Sequence, residues 1–369
     1  MLLHIKAFIK KEAVLCISAL CAAATMLFVP PDGEYLHYID FRVLAILFCL
    51  MAVVAGFKKS GVFSALTYQL LSRIKSGKIL GATLVMLPFF SSMAITNDVA
   101  LIVFVPFTIA LLSEIGCRKS IVPVIVLQTV AANLGSMATP VGNPQNLFLY
   151  STFSLGAGEF FRVTLPLTAV SLIVLLFSSL PLLPARPEIG ELKKESVQDK
   201  KQLFVYAVLF ILSLLTVLRI VPYELTTVIT VAVFLVMCRE LFGEIDFMLL
   251  LTFVCFFVIS ENLGRIDVIR SFLQALLEKN TLLTCVGASQ VISNVPAAVL
   301  LSSFTDNWRD ILEGVNIGGL GTPVASLASL ITLKLYLKAP EAKIGRFMAV
   351  FTLANIIGLV ILLGFTALI

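Results

Sequence analysis

The sequence predicts an all-α polytopic membrane protein built as two inverted-topology repeats, and three observations carry that expectation. Hydrophobic residues make up 59% of the 369-residue chain and charged residues only 13%, where a soluble domain carries about 25% charge. Too little polar surface is left to clothe a water-soluble globule. The apolar runs are long and unalternated, whereas barrel strands alternate over about ten residues. One Gly/Pro-interrupted apolar stretch also occurs twice.

In chain order, the first span falls near 12–29, after the basic start HIKAFIKK. Ala22-Ala23-Ala24 offers a small-residue cleavage site, so a signal peptide is the alternative; the length of the run and the repeat described below favour a retained helix. Further spans fall near 41–57, 159–183, 203–221, 224–242, 246–262 and 346–368, giving about nine spans plus two hairpins. The net charge of +5 and pI near 8.8 come from Lys and Arg in short loops, where they set orientation rather than bind nucleic acid. Lys6, Lys10, Lys11, Lys58, Lys59, Arg73, Lys75, Lys78, Arg118, Lys119 and the loop 185–201 are expected inside, with the N-terminus cytoplasmic in a bacterial-type inner membrane. The loop 30–40 has no Lys or Arg and is assigned outside.

Residues 79–115 have basic flanks on both sides and no outer loop, only SSMAITNDVA at the centre. The economical reading is a re-entrant hairpin with its tip at Thr96-Asn97-Asp98; two full spans with a minimal turn is the alternative. Irregular backbone at that depth implies a protein-covered or water-filled cavity. The next run, 120–155, is interrupted by Asn133-Leu-Gly-Ser-Met-Ala-Thr-Pro-Val-Gly-Asn-Pro-Gln-Asn146. Pro removes a donor and Gly weakens a helix, so this span breaks at its middle, as ion and substrate sites in transporters do.

Ile39-Asp40-Phe41 recurs as Ile245-Asp246-Phe247, and each opens an apolar run followed by a short amphipathic segment (61–72 and 266–278), a hairpin and a broken span. The tips match as Thr96-Asn97-Asp98 and Ser293-Asn294-Val295. Asn133–Val141 aligns without gaps on Asn316–Val324. The boundaries are thus 1–183 for the first repeat, 184–223 for a cytoplasmic loop and linker helix, and 224–369 for the second repeat, with hairpin 281–306 and broken helix 311–336. Counting crossings makes the repeats inverted. Arg239, Lys334, Lys338, Lys343 and Arg346 then fall inside, while Arg219, Arg265, Arg270 and Arg309 fall outside, against the basic-residue rule.

With TND and SNVP at the tips and NLGSMATPVGNPQN and NIGGLGTPVASLAS in the broken spans, the chain resembles the ion transporter superfamily of arsenite permeases, citrate-type carriers, divalent anion:sodium symporters and a class of sodium:proton antiporters. The resemblance covers nearly the whole chain. It implies a homodimer in which a transport domain holding both hairpins and both broken helices moves like an elevator against a scaffold. The carboxylate symporters carry Ser-Asn-Thr at each tip; here Asn97 and Asn294 match, Thr96 and Ser293 keep the hydroxyl, and Asp98 and Val295 depart. The departures point away from a dicarboxylate, toward the permease and antiporter side. The chain is also shorter than the symporters before Ile39.

Sodium takes hard oxygen ligands, which unwound carbonyls, amides and hydroxyls supply at helix breaks. Candidates at the first break are Thr96, Asn97, Asp98, Asn133, Gly135, Thr139, Pro140, Gly142 and Asn143; at the second, Ser293, Asn294, Val295, Asn316, Gly318, Gly321, Thr322, Pro323 and Ser326. No Lys or Arg lies near either tip, so an anion would be held by free N–H groups at helix starts. Asp98 is the sharpest candidate. A carboxylate at membrane depth is costly to leave ionised and unpaired, and a proton and a sodium ion would compete for it; the plain alternative is a helix cap. Asp40 and Asp246 read as N-caps, Glu261 and Asn262 as interface markers, Gln128, Gln145 and Gln290 as residues flanking the motifs, and Trp308 as an interfacial anchor.

No enzyme is expected. The cysteines, among them Cys16, Cys21, Cys49, Cys238, Cys255 and Cys285, lie in or beside apolar runs without a CxxC motif, and His4 and His37 cannot build a metal set or triad. The expected function is secondary transport of a small inorganic or organic anion with Na+ or H+ as coupling ion and no other cofactor; the alternative is sodium:proton exchange. A channel would not need two opposed hairpins.

Overall fold

A computed structural model describes residues 12–71, 74, 76–184, 199–339 and 342–368. The expectations placed on Lys6, Lys10, Lys11, Arg73, Lys75 and most of the basic 185–201 loop lie outside the described residues. The described chain is helical, and seven stretches are long and apolar enough to cross a bilayer. This is an all-α polytopic membrane protein.

The helices are α1 (Ala13–Met26), α2 (Phe41–Ser60), α3 (Val62–Leu71), α4 (Gly77–Ser91), α5 (Asn97–Glu114), α6 (Ile121–Ser136), α7 (Pro144–Thr152) and α8 (Ala157–Ser179). They continue as α9 (Lys200–Val217), α10 (Tyr223–Met237), α11 (Phe247–Gly264), α12 (Asp267–Ile292), α13 (Asn294–Ser302), α14 (Trp308–Gly318), α15 (Leu327–Tyr336) and α16 (Ile344–Thr366). Asp40 and Asp246 cap α2 and α11 in the same way, accepting from the Val43 and Leu249 amides at 2.9 Å each. Helix α2 ends at Gly61, whose φ of 73° suits a glycine cap.

One boundary differs from the sequence reading. The amphipathic stretch 266–278 and the first arm of the second hairpin form one continuous helix, α12, interrupted only at Asn280 (φ −166°, ψ 96°). Asn280 Oδ1 accepts from the Leu283 amide at 2.8 Å, so the asparagine caps the second half and keeps the boundary as a kink.

Packing exchanges partners between the two halves of the chain. α1 lies on α11 while α10 lies on α2; α5 lies on α15 while α13 lies on α7. Within each half, α4 and α5 flank α6, and α12 and α13 flank α14. Because lipid tails give helices no hydrophobic drive to associate, close approach through small residues matters. A Cβ on Gly56 of α2 would stand 2.6 Å from the Tyr206 ring of α9. One apolar cluster, with Phe89, Val126 and Phe347, joins α4 to α6 with α15 and α16. Another, with Phe148, Phe253 and Leu312, joins α2, α7 and α11 to α13 and α14.

The ends of α2 and α11 are tied in matching fashion. Lys58 reaches Glu244 at 3.3 Å and Lys59 reaches Glu240, both in the short helix Arg239–Glu244 that precedes α11. Arg265, just past α11, reaches Asp32 at 2.8 Å and the Tyr38 hydroxyl at 2.7 Å, on either side of the short helix Gly33–Leu36 that precedes α2. The guanidinium holds the Asp32 carboxyl below its ordinary range.

Asn262, expected as an interface marker near the end of α11, has partners inside the protein. It is fully buried, and its amide donates to Thr25 Oγ1 at 3.0 Å and to the Tyr35 hydroxyl at 2.9 Å, joining α1, α11 and the 30–40 segment.

Candidate transport site at the two helix breaks

The two apolar stretches that carry Gly and Pro break where the sequence places them. α6 stops at Ser136 and α7 starts at Pro144; α14 stops at Gly318 and α15 starts at Leu327. Each hairpin tip is bonded to one of these breaks. The Asn97 amide donates to the Gly142 carbonyl at 3.1 Å, and the Asn294 amide donates to the Ala325 carbonyl at 2.9 Å. Gly142 and Ala325 occupy the same position when Asn133 is aligned on Asn316.

The residue before each tip asparagine is held in a backbone region that non-glycine residues seldom adopt: φ is 45° at Thr96 and 74° at Ser293. Such strain persists where surroundings over-determine it, and here a second matched bond helps. Thr139 Oγ1 donates to the Met93 carbonyl at 2.5 Å, and Thr322 Oγ1 donates to the Gln290 carbonyl at 3.0 Å. Each threonine thus anchors the turn three residues before the strained one.

Between the tips runs a buried network of amides and hydroxyls. Asn133 Oδ1 accepts from the Asn97 side chain and from Ser326 Oγ, both at 2.9 Å. The Asn143 amide donates to Ser136 Oγ at 3.1 Å and to Asn316 Oδ1 at 3.3 Å. The Asn316 amide donates to Asn146 Oδ1 at 2.7 Å, and the Asn146 amide donates to the Met137 and Thr139 carbonyls at 3.2 Å each. The Met137 and Thr139 carbonyls of the first break thereby gain a donor.

Glycines allow the close approaches. A Cβ on Gly135 would collide with the Phe89 carbonyl of α4. Gly321 has φ 113°, and a Cβ there would strike the Gln290 side chain, whose amide donates to the Gly318 and Leu320 carbonyls at 2.9 Å each.

The two breaks are not equivalent. Residues 140–146 are all buried, Pro140 and Gly142 included, whereas Thr322 is exposed and Gly321 and Pro323 are half-buried. The tips differ as well. Val295 is buried in an apolar cluster with Phe257 and Leu301 and offers no ligand atom. Asp98 lies in the first turn of α5, with its amide donating to Asn97 Oδ1 at 3.0 Å, and its Oδ1 is buried without a hydrogen-bond partner. The N-cap of α5 is Thr96. Capping leaves this carboxylate oxygen unexplained.

Of the candidate residues, Asn97, Asn133, Asn143, Asn316 and Ser326 come together directly, and Asn294 joins through the Ala325 carbonyl. Sequence reasoning missed Ser136 and Asn146 as members. Asn146 could have been found from its spacing: it follows the N-cap Asn143 by three residues, and its amide donates to Asn143 Oδ1 at 2.9 Å. Asn355, whose Oδ1 accepts from the Gly321 amide at 3.4 Å, stands in α16 among apolar residues and gave no signal.

With this geometry in view, comparison with known proteins decides the family. Residues 2–307 match the citrate transporter family. The chain belongs to that family. An uncharacterized transporter of Methanocaldococcus jannaschii is 33% identical over 335 residues, covering 90% of this chain and 91% of that one. The inner membrane protein YbiR of Escherichia coli is 30% identical over 302 residues, 80% of each chain. A shorter stretch of 111 residues, 30% of this chain, is 33% identical to the silicon efflux transporter LSI3 of rice, of which it covers 22%. This member of the citrate transporter family is accordingly a membrane transporter and not an enzyme.

Proposed function

We propose that the chain is a secondary active transporter in which a small anion, inorganic or organic, crosses with Na+ or H+ as the coupling ion. The observation that carries the reading is the matched pair of tip-to-break bonds, Asn97 to Gly142 and Asn294 to Ala325. Two strained tips meeting two broken helices concentrate amides, hydroxyls and helix starts in one place. Asp98, with one carboxylate oxygen free of hydrogen bonds, is the candidate for the coupling ion.

The proposal includes inverted repeats, a homodimer and elevator movement in an inner membrane. Helix lengths support the second hairpin as re-entrant: α13 has nine residues, or about 14 Å at 1.5 Å per residue, against a hydrocarbon core of about 30 Å. The exchanged packing of α1 on α11 and α10 on α2 supports a scaffold around α2 and α11, against which the broken helix α7 and the hairpin arm α13 pack. Sodium:proton exchange without an anion is the second reading, favoured by the carboxylate at one tip and the absence of Lys or Arg from both.

Reconstitution in liposomes tests both. Sodium and pH gradients are imposed separately while luminal pH and uptake of citrate and silicic acid are followed. Uptake of citrate that collapses when both gradients are removed supports anion transport, whereas uptake of silicic acid alone, a solute uncharged at neutral pH, overturns the anion assignment. A sodium-driven pH change without added solute sinks that reading in favour of exchange.

A further inference from the structure

Beside the network at the breaks, a line of hydroxyls runs along the contact between α6 and α15. Ser326, Ser329 and Thr332 recur every three residues, and all three are buried. Ser326 bonds to Asn133 of α6; six residues on, Thr332 Oγ1 stands 2.7 Å from Thr129 Oγ1 of the same helix. Asn133 and Thr129 are one turn apart on α6, so the two contacts are successive rungs between helices running in opposite directions.

Ser329 falls between these rungs, is 1% exposed, and its hydroxyl has no hydrogen-bond partner. A helical serine ordinarily donates to the carbonyl four residues back. Here that carbonyl belongs to Ala325 and already accepts from the Asn294 amide of the hairpin tip at 2.9 Å. Buried polar atoms in native proteins are satisfied by protein or by ordered water.

The line leads from the breaks toward the basic end of the molecule. Arg346, at the start of α16, donates to the Lys119 carbonyl at 2.8 Å just before α6. The Lys343 amide donates to the hydroxyl of Tyr336, the last residue of α15, at 2.9 Å. Ser326 to Thr332 covers about 9 Å of that path at 1.5 Å per residue.

We infer that the α6–α15 contact is a water-holding seam, with Ser329 bonding ordered water between the rungs Asn133–Ser326 and Thr129–Thr332. Such a seam extends from the bonded centre of the two breaks about 9 Å toward the basic end of the protein. Its existence does not depend on which species is transported.

Cysteine accessibility in native membranes tests it. Ser329→Cys, Thr332→Cys and Thr129→Cys are made singly, with Ala328→Cys, on the fully buried neighbour of Ser329, as the dry control. Each is treated with 2-aminoethyl methanethiosulfonate and read by mass spectrometry of the peptide concerned, so the native cysteines remain. Thiol modification needs water, and labelling at 329 and 332 at least tenfold faster than at 328 is expected. Equal labelling at 328, or silence at both 329 and 332, overturns the inference. Thr129→Cys reads the opposite wall, so a folding failure of either α15 variant leaves the question decided from α6.

Discussion

Asn143 donates to Asn316 across the two halves of the molecule at 3.3 Å, and the partners at their counterpart positions bond in return: Ser326 donates to Asn133 at 2.9 Å. Under the alignment of Asn133 on Asn316, Ser326 stands where Asn143 does. Each break is thus fastened to the helix that leads into the other. Neither broken helix is stable alone at membrane depth, where an unpartnered backbone or amide group is costly.

The first prediction concerns that reciprocity. Asn143→Ala and Asn316→Ala each leave a buried amide short of a partner, and each should destabilise the protein by about 1–3 kcal/mol. The double variant should lose less than the sum, with a coupling energy of about 0.5–3 kcal/mol. Equilibrium unfolding of the detergent-solubilised protein measures both; strict additivity would mean that the contact carries no energy.

Asp98→Asn removes a charge whose Oδ1 makes no hydrogen bond, so thermal stability should be retained or raised. Transport driven by a sodium or pH gradient should be lost while solute exchange without a gradient persists. A variant that couples as the wild type does would strip Asp98 of its role.

Gly135→Ala should be among the most damaging single substitutions. Its methyl group would meet the Phe89 carbonyl, which is backbone and can yield only by moving α4, and overpacking of this kind costs typically 1–3 kcal/mol and occasionally more. Gly158→Ala, where nothing lies within 4 Å of the added carbon, serves as the control. Thermal midpoints of the two variants in one detergent separate the local clash from a general intolerance of the substitution.

The Asp32–Arg265 pair should give the 30–40 segment an acid-sensitive anchor. The folded Asp32 pKa lies below its ordinary value. Its contribution is therefore present above the unfolded value and lost as pH falls through the folded one. Limited proteolysis of the segment should quicken on acidification through the range below the ordinary aspartate value. In Asp32→Asn the quickening should be absent and cleavage fast throughout. Both groups are exposed, so the effect should be modest and weaken with salt.

Much of this was legible in one dimension. Asp40 and Asp246 were readable as caps because an aspartate before an apolar run has few other uses, and both cap. The breaks were readable because Gly and Pro interrupt helices wherever they occur together, and the helices stop at Ser136 and Gly318. The partners of Asn262 were not legible, because a polar residue at the end of a span looks the same whether it meets water or, as here, a threonine and a tyrosine from two other elements. Ser136 and Asn146 were missed as site members because small polar residues inside a motif carry no mark of what they face.

By itself the sequence determined that the chain is a helical membrane protein, where its helices break and which tips and breaks correspond, since these follow from composition, Gly and Pro chemistry and self-similarity. The tertiary structure decided who bonds to whom. Hydrogen bonds such as Asn97 to Gly142, Asn143 to Asn316 and Ser326 to Asn133 span from 45 to 193 residues along the chain, and no local preference encodes them. They exist because helices packed in exchanged pairs must satisfy, from each other, the polar groups that lipid cannot.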